Sequence, residues 1–162
     1  VRLYILLFAA LVGLDQLSKY WIMATMNLYE VREVIPGLFN LVYVTNRGAA
    51  FSIFASVDSP VRHYFFIAVN SLAAIGLTVA VFKMRSRSIF YVVSFGLIAA
   101  GAVGNLIDRI RFGAVIDFLD FYVGSYHWPA FNVADSSICV GVGVLFVLNI
   151  IEIKRDKERR HQ

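Results

Sequence analysis

Asp117 and Asp135 stand in two segments otherwise rich in apolar residues, Val115-Ile116-Asp117-Phe118-Leu119-Asp120-Phe121 and Pro129-Ala130-Phe131-Asn132-Val133-Ala134-Asp135-Ser136. A carboxylate held partly out of water is disfavoured as an anion. Two of them brought together cannot both ionise easily, so such a pair shares a proton and titrates as a unit. One member can then take a proton from water while the other donates a hydrogen bond to a carbonyl, which is what aspartyl proteolysis requires. The residues alone leave a second reading open, with Asp135 a charge complementing the dipole at a helix N-terminus and Asp117 a solvated loop residue.

Other polar residues in apolar surroundings are candidates by the same argument, because ionisable groups are costly near lipid. Asp15 and Lys19 are four positions apart, share one helical face and are expected to neutralise each other as an ion pair. In Gly104-Asn105-Leu106-Ile107-Asp108-Arg109, Asn105 and Arg109 share a face and offer an amide and a guanidinium fork; Asp108 points about 100° away from Arg109. Interface anchoring and helix capping would use the same residues. Rival chemistries lack their parts. Ser18 and Lys19 are adjacent and diverge on a helix, and His63 and His127 are isolated, without a zinc-ligand pattern. Cys139, among Ile138, Val140 and Gly141, is expected to be a small buried hydrophobe. No cofactor requirement is read from the sequence.

The elements that position these residues are long apolar runs. With 59% hydrophobic residues, 16% charged and a mean hydropathy of +0.71, the expected solvent is lipid rather than water. Spans are expected at approximately 3–26, 63–82, 89–107 and 131–153, each close to the ~20 residues that cross a hydrocarbon core. The first is too long for the apolar region of a cleavable signal peptide and is expected to be retained. Lys and Arg number nine in the termini and the loop near 83–87, against five in the other two loops, with Lys19 left out as lying within a span. That places both termini in the cytoplasm. The same asymmetry accounts for the net charge of +4 without invoking nucleic acid.

The loop from 27 to 62 is then extracytoplasmic, and its stretch Leu38 to Val44 predicts a small strand or hairpin at the membrane surface. Phe51, Ile53 and Phe54 are expected to dip into lipid, and Tyr122, Tyr126 and Trp128 of the loop from 108 to 129 suit the headgroup layer. The fold class expected is an all-α membrane protein of four helices with a small extracytoplasmic β-containing region, one domain over 1–162. The main rival function is a proton-coupled transporter. Against it, there are four spans, no inverted repeat is visible, and the acids lie toward one face rather than at mid-membrane.

Five segments, in order, resemble the signature of the lipoprotein signal peptidase (signal peptidase II) family: Leu14-Asp15-Gln16-Leu17-Ser18-Lys19, Thr45-Asn46-Arg47-Gly48-Ala49-Ala50-Phe51-Ser52, Gly104 to Arg109, Val115 to Phe118, and Phe131 to Ser136. The resemblance spans nearly the whole chain. It implies an enzyme of the bacterial cytoplasmic membrane that removes signal peptides from diacylglyceryl-modified prolipoproteins, cleaving before the lipid-bearing cysteine, with its active site at the extracytoplasmic face. It implies Asp117 and Asp135 as the catalytic dyad, Asn46, Asn105, Arg109 and Asn132 around the substrate, and Asp15 with Lys19 supporting the first helix. It further implies membrane lipid as an environment and inhibition by globomycin-like peptides. Oligomeric state is left open.

Overall fold

The computed structural model describes residues 2–48, 60–84 and 88–160. Phe51, Ile53 and Phe54, the 49–52 part of the second motif and the arginines at 85 and 87 lie outside them. Within the described residues the order is α1 (Arg2–Thr25), β1 (Val31–Ile35), β2 (Phe39–Asn46), α2 (Pro60–Met84), α3 (Ile89–Phe112), β3 (Val115–Val123), β4 (Tyr126–His127) and α4 (Val133–Arg160).

All four helices are long and apolar enough to cross a membrane. A 24-residue helix such as α3 is about 36 Å long, sufficient for a ~30 Å hydrocarbon core. The four are not equivalent. In α3, 61% of the apolar window is buried inside the protein, against 17% in α1 and 11% in each of α2 and α4. The other three helices therefore pack around α3 and turn their outer faces outward. That arrangement needs close approach, because lipid supplies no hydrophobic force between helices and small residues and hydrogen bonds must bring them together. A methyl group at Gly101 would run into the Ala134 carbonyl oxygen of α4 and come within 2.6 Å of the Ile138 side chain. One at Gly141 would meet Ile98 at 2.6 Å and the Ser94 carbonyl oxygen at 2.9 Å. Ser94 and Ser137 donate across the same seam to the carbonyls of Gly141 and Leu97, at 2.6 and 2.7 Å.

The ends of α3 have local causes. Ser88 caps its start by accepting from the Phe90 N–H. Gly113, at φ +72°, takes the left-handed conformation that ends the helix, and its N–H donates to the Arg109 carbonyl. The helix thus runs to Phe112, past the expected end near 107, and reverses directly into β3.

The segment from 108 to 129 is expected as a loop, but within it Val115–Val123 is a strand. It is the third member of an antiparallel sheet of order β1-β2-β3-β4, larger than the single strand or hairpin expected around Leu38 to Val44. Its register sets Val44 opposite Asp117 and Asn46 opposite Val115. The sheet packs on the end of α1 through Ile22, Met26 and Phe118, with Leu41, Tyr43, Leu119 and Val133 closing around them. A bridge between Leu119 and Phe131 then ties the chain entering α4 to β3. The segments bearing Asp117 and Asp135 are thereby brought side by side.

The α3–α4 seam gives a direct test. Gly101→Ala should cost about 1–3 kcal/mol by overpacking, read as a lowered melting temperature in detergent. Gly143→Ala, where nothing lies within 4 Å of the added methyl, should stay within ~0.5 kcal/mol of the parent. Equal melting of the two variants would show that close approach at Gly101 does not hold the bundle.

Candidate active site

Asp117 lies near the start of β3, in the run Val115 to Phe118 that is buried on both faces, and is 3% exposed. It is not a solvated loop residue. Its Oδ1 accepts from Asn132 Nδ2 at 2.7 Å, and the Asn46 side chain also hydrogen-bonds its carboxylate. Burial, followed by the nearby Asp135 charge, pushes the Asp117 carboxyl up to about 7. The hydrogen bonds from Asn132 and Asn46 and the more distant Lys19 ammonium act in the opposite direction but do not outweigh it.

Asp135 occupies the third position of α4, where Asn132 is the residue before the helix. The Asp135 N–H donates to Asn132 Oδ1 at 2.9 Å, and the Asn132 N–H donates to Asp135 Oδ2 at 3.3 Å. This is a capping box built from Asn and Asp. The role left open from sequence, a charge at a helix N-terminus, is thus real, and it coexists with the pairing: the same carboxylate accepts from Asn105 Nδ2 at 2.8 Å through Oδ1 and acts electrostatically on Asp117. Asn132 joins the two aspartates directly.

The other predicted residues converge on this centre. Asp15 and Lys19 form the expected ion pair at 2.9 Å, but neither is confined to α1. Asp15 accepts from the Ala134 N–H of α4 at 2.9 Å. Lys19 reaches Asp108 at 2.7 Å and donates to Asn105 Oδ1 at 3.2 Å. Two residues without an assigned role in the sequence reading complete the cluster. Asp108, 0% exposed, accepts from the Ile116 N–H at 3.2 Å, and Gln16 donates to Asp108 at 3.0 Å and to the Gly104 carbonyl at 3.2 Å. The sequence holds a signal for Asp108, since it follows Asn105 by three and so shares a helical face with it.

Arg109 turns toward the chain itself. Its guanidinium donates to the Gly48 carbonyl at 2.8 Å and lies over the Phe66 ring of α2, 5.1 Å from the centroid. The Gly48 N–H donates to Asn46 Oδ1 at 2.9 Å, so Arg109 steadies the turn that carries Asn46. Cys139 departs from expectation: it is exposed on the outer face of α4 rather than buried, because the buried seam of that helix runs through Ala134, Ser137 and Gly141. Ser18 donates to the Asp15 carbonyl, and His127 pairs with Asp120 at 2.9 Å and stacks on Tyr122; neither approaches the aspartate pair in these contacts. Among the described residues no three His, Cys, Asp or Glu side chains are grouped to hold a metal ion.

The site is thus two carboxyl groups, one of them biased toward its neutral form, framed by three asparagine amides and backed by a buried lysine. Such a frame can hold one shared proton and present a carboxylate to a water molecule.

Comparison with known proteins agrees with this architecture. Residues 7–151 match the sequence profile of signal peptidase (SPase) II. The lipoprotein signal peptidase of Desulforapulum autotrophicum is 51% identical over 143 residues, 87% of this chain and 86% of that one. That of Geobacter metallireducens is 45% identical over 159 residues, 98% and 94% of the two chains. A bacterial membrane enzyme solved by the in meso method at 2.3 Å superposes with a TM-score of 0.85 at 33% identity, covering 96% of this chain and 92% of its own. By its sequence and by its fold, the chain belongs to the signal peptidase II family.

Proposed function

We propose that this protein is a multi-pass aspartyl endopeptidase of the bacterial cytoplasmic membrane that removes the signal peptide from diacylglyceryl-modified prolipoproteins. The observation that carries the reading is the joining of Asp117 and Asp135 through Asn132, with burial and mutual charge favouring a single shared proton. Asp117 holds that proton at rest. Asp135, whose two oxygens accept hydrogen bonds from Asn105 Nδ2 and the Asn132 N–H, is held in place to act as the general base.

Water, with its proton passing to the Asp135 carboxylate, attacks the scissile carbonyl carbon, while the Asp117 carboxyl donates to the carbonyl oxygen. The gem-diol then collapses as one of its hydroxyl groups returns a proton to Asp117 and the proton held by Asp135 passes to the departing nitrogen. The C–N bond breaks, giving a signal-peptide carboxylate and the free amino group of the lipid-bearing cysteine. The distribution of Lys and Arg supports cytoplasmic termini, which sets the sheet end of the bundle and the aspartate pair at the extracytoplasmic face. Exposed Leu28, Tyr29, Ile35, Tyr126 and Trp128 suit that end to the headgroup layer. Globomycin-like peptides are expected to compete there.

Asp117→Asn and Asp135→Asn should each leave a folded protein whose turnover of a lipidated precursor falls ~10²- to 10⁴-fold, with the double variant little worse than either. More than about a tenth of parental turnover in either single variant removes that residue from the dyad.

Asp117 also predicts a pH dependence of stability. Its folded value lies above the ordinary 3.8, so the stability present at low pH is lost as pH rises from about 4 through about 7. Asp117→Asn lacks this penalty and should melt higher than the parent at pH 8, with the gap closing toward pH 4. A gap that does not vary with pH would contradict the assignment.

If the dyad lies at the outer-leaflet boundary, the lipid of the substrate holds the scissile bond at its depth and converts an encounter into a positioned one. The unmodified precursor should therefore be cut at least about a hundredfold more slowly by kcat/KM in matched liposomes. Equal rates would leave a general membrane protease and remove the specificity for lipoproteins.

A further inference from the structure

Lys19 takes no proton in the scheme above, yet it touches one of the side chains that hold the aspartate pair. We propose that Lys19 is a positioning residue for Asp117 and Asp135, acting through the amides of Asn105 and Asn132; the inference rests on the reading of that pair as the catalytic dyad. An ammonium group can only donate. Its contact with Asn105 Oδ1 at 3.2 Å fixes which end of that amide faces it, so that Nδ2 faces Asp135 Oδ1 at 2.8 Å. The flipped amide would set donor against donor at Lys19 and acceptor against acceptor at Asp135. Asn105 Oδ1 accepts from Asn132 Nδ2 as well, at 3.3 Å, which orients the second amide. Asn132 Nδ2 then reaches Asp117 Oδ1 at 2.7 Å, and its Oδ1 takes the Asp135 N–H at 2.9 Å. One cation sets the sense of both amides, and each amide claims one oxygen of one aspartate.

The anchoring of Lys19 carries the same arrangement into the backbone. It sits between Asp15 at 2.9 Å and Asp108 at 2.7 Å, all three side chains being at most 2% exposed. A structural ion pair needs one acid; here there are two, and each holds a backbone N–H. Asp108 takes that of Ile116, the residue before Asp117, and Asp15 takes that of Ala134, the residue before Asp135. The ammonium therefore stands at the junction of two arms, each ending one residue short of a member of the pair. Among the described residues, the charged groups around the dyad are Asp15 and Lys19 from α1 and Asp108 and Arg109 from α3. From α2 comes the Phe66 ring against Arg109, and from β2 the Asn46 amide.

The test uses the full-length enzyme and a lipidated precursor. Lys19→Met should lower kcat by ~10- to 100-fold with KM changed less than about threefold. It should also displace the pH profile of kcat/KM upward by roughly one unit, because the lost cation no longer favours ionised carboxyl groups. Lys19→Arg, which keeps charge and donors, should return the profile toward that of the parent. Asp108→Asn removes an anion from the same cluster while its amide oxygen can still accept from Ile116, and it should displace the profile downward. A folded Lys19→Met enzyme with parental kcat and pH profile would overturn the proposal. Should that variant not accumulate, an unmoved profile in Asp108→Asn overturns it instead. Failure of the dyad itself would be seen separately, as turnover surviving in Asp117→Asn or Asp135→Asn.

Discussion

A helix that begins inside a protein rather than in water must find partners for its first N–H groups, and the start of α4 is where this constraint organises its surroundings. The Ala134 N–H is taken by Asp15 from α1, and the Asp135 N–H by Asn132, whose own N–H returns to the Asp135 carboxylate. The groups that solve the termination problem are those of the candidate active site. The aspartate that completes the cap is also the aspartate brought to Asp117. Capping alone would not have required a partner on a strand; the bridge from Leu119 to Phe131 supplies that partner by fixing β3 beside the helix entrance.

Charge balance follows from the same choice. Asp15 brings a negative charge to the α4 entrance, and Lys19, one turn away, answers it. The ammonium is then shared with Asp108, which in turn secures the backbone at Ile116. Removing one partner from a buried charged group typically costs about 3–5 kcal/mol, because the remaining charge stays out of water. Geometry that costs this much to disturb is well suited to hold two acidic groups that would otherwise repel each other. Arg109 applies similar restraint on the opposite side, where its guanidinium fixes the Gly48 carbonyl and with it the turn bearing Asn46.

Much of this was legible from residue types and spacing, and the limits have physical causes. Hydropathy found the four helices because lipid imposes a length and a composition on anything that crosses it. The Asp15–Lys19 pair was readable because helical spacing alone brings its members together. Strand β3 was missed because Val115 to Val123 mixes aspartates into an apolar run without clean alternation; its first residues are buried on both faces, so no period of two shows. The partners of Asp108 and Arg109 lie 89 and 61 positions away, across α1 and β2, where no local period could point to them. Cys139 was misplaced for a related reason: composition shows that α4 is apolar all round, but not which side faces α3.

The central position of α3 has a consequence for how such a sequence can drift. Its glycines at 96, 101 and 104 leave room for neighbouring helices only because they lack a side chain, and its C-terminal turns carry Asn105, Asp108 and Arg109, so substitutions on its buried face disturb either a seam or a buried charge. The outer faces of α1, α2 and α4 have no such obligations. Leu6, Leu17, Leu72 and Phe146, each more than 60% exposed, answer only to the requirement of being apolar. Evolutionary freedom in this protein is therefore radial, small along the axis and wide at the rim, and lineages can exchange one greasy side chain for another at the periphery without touching the chemistry at the centre.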